Sequence, residues 1–140
     1  SLSFTLFPGD AVCMVFADAL YFSHAILEFV LGAIKLRGHY QHETAGSKSS
    51  RSIMYCRHHA ASLLSLSLCG ALIWWRGLVD SETGMIASTC FAMFHGGAVV
   101  AFVIAWTQDA IPFSKVLVPH APFALAFGLH VLTQSWASQH

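Results

Sequence analysis

Four apolar segments, each about as long as a lipid bilayer is thick, fill most of this chain. They run over 11–34, 54–75, 84–106 and 116–136. A helix needs about 20 predominantly apolar residues to cross the ~30 Å hydrocarbon core of a membrane. Backbone polar groups inside lipid must bond within their own segment, so we expect these segments to be helices.

The composition also favours a membrane protein. Of the 140 residues, 56% are hydrophobic and only 10% are charged, and the mean hydropathy of +0.61 lies outside the usual range of soluble domains. Seven basic residues balance seven acidic ones, without the excess of basic charge that nucleic-acid binding requires. We therefore expect membrane lipids and other membrane protein subunits as partners, and no nucleic acid.

The pieces between the apolar segments are too short to hold a soluble domain. Connections of about ten residues or fewer between the later segments favour antiparallel neighbours. The sequence therefore predicts an all-α fold with a single domain over 1–140. That domain is an integral membrane four-helix bundle of up-down-up-down topology.

The basic residues predict how this bundle is oriented. The polar loop predicted over about 35–53 and its flanks hold five of them, and the third connection adds Lys115, whereas the other side holds only Arg76. Because short loops rich in Lys and Arg stay on the inner side, both termini are predicted on the outer, lumenal or intermembrane side. The five residues of the first loop region are Lys35, Arg37, Lys48, Arg51 and Arg57.

The first apolar segment is interpreted as a retained helix. Asp18, His24 and Glu28 interrupt its apolar run, and a cleavable signal peptide avoids such residues. The sequence begins at Ser1 rather than Met, which leaves open whether a targeting segment has been removed.

This helix has one polar face. Tyr21, His24, Glu28 and Lys35 fall within an arc of about 60° on a helical projection, with Asp18 near its edge. An acidic residue at the bilayer centre costs about 2.5 to 3.5 kcal/mol on insertion scales, so this face is predicted to point away from lipid.

His24 and Glu28 are four residues apart and can meet on the helix surface. One interpretation is a hydrogen-bonded pair that fixes helix packing. The other is an acid–base site for a lipid, sterol or quinone, in which Glu28 and His24 are catalytic and Asp18, Tyr21 or His95 assists. The sequence leaves both open.

The remaining buried histidines are candidate cofactor ligands. His95 is predicted at the depth of His24 in the middle of the membrane, and His120 in an inner layer with residues 57–59. His130 is expected nearer the outside. His24 and His95 would suit a bis-histidine haem, whereas chlorophyll needs one axial ligand from His24, His95, His120 or His130.

Smaller signals favour structural roles. Gly96 and Gly97 are expected to form a small-residue surface for close helix packing. Pro119 is expected to begin the fourth helix, with Pro122 in its first turn. The cysteines lack the paired spacing of a zinc or iron–sulfur centre, so no metal site is expected. The four tryptophans at segment ends predict an interfacial belt: Trp74, Trp75, Trp106 and Trp136.

Three functions follow from these features. The lack of a complete catalytic set favours a non-catalytic accessory subunit of a photosynthetic or respiratory complex, which packs helices and binds chlorophyll, carotenoid or lipid. The alternative is a small membrane enzyme using His24 and Glu28. The third is a haem-binding or proton-conducting bundle using His24 and His95. A thylakoid or mitochondrial inner membrane is favoured, with endoplasmic reticulum or bacterial inner membrane as alternatives.

Overall fold

The computed structural model describes residues 8–43, 50–108 and 120–137, and the side chains of 15–37, 54–108 and 120–136. Over these residues the chain is all-α, with no strand. The four helices are α1 (Pro8–Glu43), α2 (Ser50–Trp75), α3 (Glu82–Thr107) and α4 (His120–Ala137). The predicted helical class is confirmed, and the described residues form four helices.

The helix ends differ from the ends of the apolar segments. α1 continues past residue 34 to Glu43 and α2 begins at Ser50, so the prediction of a loop is wrong for residues 35–43 and 50–53. The polar residues after the apolar segment still favour a helix, because a helix can continue beyond the part of it that is apolar. The predicted loop residues 44–49 lie outside the described residues.

The described part of α4 starts at His120. The first residues of its predicted segment, 116–119, lie outside the described residues. Pro119, the predicted start, lies outside the described residues. Pro122 does fall in the first turn, where a missing backbone N–H costs little because that N–H has no intrahelical partner.

Two helical segments are long and apolar enough to cross a membrane. They are Val15–Arg37 of α1 and Glu82–Thr107, which is the whole of α3. Among the described residues, α2 and α4 do not meet the same criterion of length and composition. The four-span arrangement and its orientation remain predictions.

Contacts divide the chain into two compact units, and the boundary falls inside α1. One unit is Tyr21–Arg76, here called the α1–α2 unit. The other contains Gly77–His140 together with Ser1–Leu20, and is here called the α3–α4 unit. The single domain over 1–140 stays a prediction.

In the α1–α2 unit the two helices run antiparallel and approach closely. The ring of Phe22 lies 4.9 Å from that of Trp74 at one end, and Lys35 contacts His59 near the other. At Gly32 a Cβ atom would lie 2.9 Å from the Cγ atom of Leu64. A side chain at Gly32 would therefore push the helices apart.

In the α3–α4 unit the helices are also antiparallel, and aromatic and histidine side chains pack between them. The facing pairs are Ser88 with His130, Phe91 with Phe127, and His95 with Phe123. A Cβ atom added at Gly96 or Gly97 would meet nothing within 4 Å among the described residues. No described helix packs closely at these two glycines, and the small-residue packing surface stays a prediction.

The connection before α3 is held by local bonds. Gly77 has a φ of 62°, a conformation that glycine adopts without the strain of a side chain. Ser81 caps α3 because its Oγ accepts a hydrogen bond from the Gly84 N–H at 3.2 Å. Gly84 itself packs against the carbonyl of Val79 so tightly that no Cβ fits.

Candidate functional site

Among the described residues, polar side chains are buried beside apolar ones, and many large apolar side chains are exposed. Each helix buries at least one polar residue, and the buried polar residues are His24, Glu28, Ser67, Ser88, His95, His120 and His130. Large apolar residues face outwards on all four helices, among them Phe16, Phe29, Leu68, Trp75, Met93, Val100, Leu125 and Leu132. Buried polar residues together with so many exposed large apolar residues are unusual in a water-soluble protein.

The structure brings His24 and Glu28 together on the buried face of α1. The His24 Nε2 atom lies 3.9 Å from Glu28 Oε1, and both side chains are fully buried. Tyr21 is buried on the same face. Asp18 is exposed, because six residues of helix place it about 120° around the axis from His24.

The neighbouring helix meets His24 at a small residue. A Cβ atom added at Gly70 of α2 would lie 3.5 Å from the Nδ1 atom of His24, which is ordinary van der Waals contact. One position along α1, the carbonyl of Ala25 accepts a hydrogen bond from the Ser67 hydroxyl at 2.7 Å. Small residues and a hydroxyl of α2 therefore accommodate the polar face of α1.

An almost wholly apolar groove of about 260 Å³ lies on the α1–α2 unit. Its lining residues are Phe22, Ala25, Ile26, Phe29, Ser67, Ala71 and Trp74. Neither His24 nor Glu28 lines it. A ligand in this groove would contact hydrocarbon and aromatic surface, not the acid–base pair.

Lys35 connects the two helices near the other end of this unit. Its Nζ atom lies 3.1 Å from Nδ1 and 3.4 Å from Nε2 of His59. An ammonium group has no lone pair and can only donate, so His59 accepts through an unprotonated ring nitrogen.

In the α3–α4 unit, His95 and His120 are in direct contact. Their Nδ1 atoms lie 2.9 Å apart, and both rings are buried. One Nδ1 must donate and the other accept, so the two facing nitrogens share one proton. This corrects the prediction that these histidines occupy different layers. Packing of Phe91 on Phe127 sets the helix register, which brings His120 to within about a turn of His95.

Aromatic rings enclose this histidine pair. Phe123 stacks on His95 with centroids 5.3 Å apart, and Phe94 meets His95 edge-on at 5.2 Å. Phe102 lies 5.4 Å from the ring of His120. The two imidazoles are thereby fixed in hydrogen-bond contact, and no porphyrin fits between them.

A second polar group of the same unit extends from the α2–α3 connection into the interior. His130 Nδ1 lies 2.8 Å from Ser88 Oγ, and His130 Nε2 lies 3.4 Å from Asp80 Oδ1. The Gln134 side-chain amide donates to the same Asp80 oxygen at 2.7 Å. Ser88 is fully buried, whereas the Asp80 side chain is 36% exposed.

The order serine, histidine, aspartate does not make this group a hydrolase site. Ser88 lies inside α3, where backbone N–H groups bond within the helix. Acyl transfer needs donors aimed at a developing oxyanion, and a continuous helix offers no free N–H beside Ser88. The arrangement is suited to sharing and moving a proton.

Sequence reasoning missed Asp80, Ser88 and Gln134. The only available signal was periodicity, because Ser88 and His95 are seven residues apart and share a helix face. The pairing of Ser88 with His130 depends on packing between helices. No protein-family model, no curated protein and no solved structure matches this chain.

Proposed function

We propose that this protein is a non-catalytic integral membrane subunit of a larger bioenergetic complex, and that it crosses the membrane four times with both termini on the outer side. The observation that carries the proposal is the large number of exposed apolar side chains on all four described helices. Exposed apolar patches of this extent are unfavourable in water and mark contact with lipid or with other membrane proteins. Polar residues inside lipid instead turn towards protein neighbours.

The α1–α2 unit supplies the binding role in this proposal. Its groove offers aromatic rings and methyl groups, and the one hydroxyl lining it, that of Ser67, already donates to a backbone carbonyl. Such a surface suits an acyl chain, an isoprenoid tail, a carotenoid or the tail of a chlorophyll. The proposed membrane is the thylakoid or the mitochondrial inner membrane.

Extraction from the native membrane tests the proposal. We expect the protein to stay in the membrane after alkaline carbonate washing, because apolar contact with lipid does not depend on charge. After mild detergent extraction we expect it to migrate in size-exclusion chromatography well above its own mass of 15.2 kDa plus a micelle. Release by carbonate would contradict membrane insertion.

The absorption spectrum of the eluate from the same column distinguishes a bound pigment from a bound lipid. Pigment absorption that co-migrates with the high-mass species supports the bound-pigment form of the proposal, whereas lipid extracted from a colourless complex supports the lipid form. A colourless particle at the mass of one chain would overturn the subunit proposal.

The buried pair His24 and Glu28 supports a second candidate, a membrane enzyme. A carboxyl group beside an imidazole, both fully buried, is an arrangement used for proton transfer on apolar substrates. In this case Glu28→Gln abolishes turnover of a sterol, lipid or quinone while the elution profile is unchanged. The groove does not reach either residue, which is why we place this function second.

A further inference from the structure

We propose that the α3–α4 unit conducts protons through its interior when an aromatic gate opens. This inference rests on the membrane insertion proposed above. The outer section of the path consists of Asp80, His130 and Ser88. The inner section is the pair His95 and His120. Between them lies the gate, which is formed by Phe91 and Phe127.

The outer section is a continuous chain of exchangeable protons. When Ser88 passes its hydroxyl proton to His130 Nδ1, His130 Nε2 passes its own proton to the Asp80 carboxylate. A water molecule on the inner side returns a proton to Ser88, and Asp80 releases its proton to solvent. One proton enters and one leaves, and His130 completes the cycle by exchanging its tautomer.

Side-chain exposure falls along this section from Asp80 to Ser88. The Asp80 side chain is 36% exposed, that of His130 is 3% exposed, and Ser88 is fully buried. The chain therefore connects bulk water with the interior of the helix pair. A purely structural clamp at the surface would not need the buried hydroxyl.

The inner section is a shared-proton pair. The 2.9 Å separation of the two Nδ1 atoms allows a proton to move from His95 to His120 without movement of either ring. His120 is 6% exposed, so this section lies in the interior, on the opposite side of Phe91 and Phe127 from Ser88.

The gate keeps the two sections apart. Ser88 and His95 are seven residues apart, which is about 10 Å along a helix axis. Phe91 is the only buried residue of α3 between them, and its ring lies 5.0 Å from that of Phe127. Dry apolar constrictions of this kind block conduction until water enters.

Helix packing alone would also explain buried hydrogen bonds, so the test must separate packing from proton transfer. His130→Gln makes that separation. The glutamine amide can accept from Ser88 and donate to Asp80, but it cannot take up one proton while releasing another. Packing survives this change, and proton transfer does not.

The experiment measures proton entry into liposomes that contain a trapped pH dye, after a pH step. Phe127→Ala is expected to raise the rate about tenfold or more over wild type, because it removes the gate. Phe127→Ala combined with His130→Gln should return to the wild-type rate. Leu125→Ala, an exposed position of α4, is the matched control and should change nothing.

Several results would overturn the inference. One is a Phe127→Ala protein that floats with the liposomes yet conducts no faster than wild type. Another is a leak that also carries potassium or persists with His130→Gln. Phe91→Ala opens the same gate from α3 and decides the matter if Phe127→Ala does not insert. Failure of the wild type to float with liposomes would instead contradict the membrane location itself.

Discussion

The two units use their buried polar residues in different ways. In the α1–α2 unit the principal pair, His24 and Glu28, lies on one helix, and the two helices approach closely at Gly32. In the α3–α4 unit the polar pairs connect two helices, as in Ser88 with His130, and aromatic rings pack between them.

The two units therefore differ in where a small residue is required. Glycine in the first unit allows close backbone approach, so its stability should depend on small residues in mid-helix. The second unit fills the space between its helices with rings, so its mid-helix glycines should tolerate a side chain. Hydrogen exchange of helix peptides in detergent measures each unit separately, since a tenfold change in protection corresponds to about 1.4 kcal/mol.

The largest expected effect is at the start of α3. In Gly84→Ala, the added Cβ atom overlaps the carbonyl groups of Val79 and Leu78, and backbone atoms cannot rotate away as a side chain can. We expect a loss of about 3 kcal/mol or more in the α3–α4 unit. Exchange in α3 and α4 peptides should rise at least a hundredfold. Unchanged exchange there would show that the turn before α3 is looser than described.

The comparison itself is tested at mid-helix glycines. Gly32→Val should destabilise the α1–α2 unit by about 1 to 3 kcal/mol, because Leu64 and the Ala60 carbonyl leave no room for a branched side chain. Gly97→Ala in α3 should be neutral or stabilise by about 0.5 to 1 kcal/mol, since alanine favours helix and meets open space. Equal losses in both variants would remove the distinction between the units.

Much of the fold could be predicted because it depends on local pattern. The helical class followed from apolar length, and the meeting of His24 with Glu28 followed from a spacing of four residues. Helix ends were less predictable, since α1 continues through polar residues that only leave the apolar span.

The site in the α3–α4 unit could not be predicted for a physical reason. The contacts of His95 with His120 and of Ser88 with His130 depend on the register between two helices, which ring packing sets. Asp80 lies in a connection with no periodicity. The prediction estimated the depth of each histidine from the ends of the apolar segments, and it placed His120 in the wrong layer. The ends of apolar segments do not determine the register between two packed helices.

A smaller effect separates the two kinds of buried hydroxyl. Ser88→Ala removes the hydroxyl that donates a hydrogen bond to His130 Nδ1, and we expect the stability of the α3–α4 unit to fall by about 1 to 2 kcal/mol. Ser67→Ala should cost about 0.6 kcal/mol, because the Ala25 carbonyl lies within a helix and retains its backbone bond. The measurement is exchange in α4 and α1 peptides. A Ser67 variant that loses more than the Ser88 variant would reverse the assignment.

The smallest effect is expected at the exposed end of the polar chain. In Asp80→Asn the amide oxygen can still accept from Gln134 and His130, and only the charge is lost. Because the side chain is 36% exposed, solvent screens that charge, and the loss should be about 0.5 kcal/mol or less. Exchange in α3 and α4 should therefore change by less than about threefold. An asparagine cannot pass a proton to solvent, so proton entry in the Phe127→Ala background should nevertheless fall. A large loss of protection without loss of conduction would assign Asp80 to packing, and would make the α3–α4 unit resemble the α1–α2 unit in using its polar residues for structure alone.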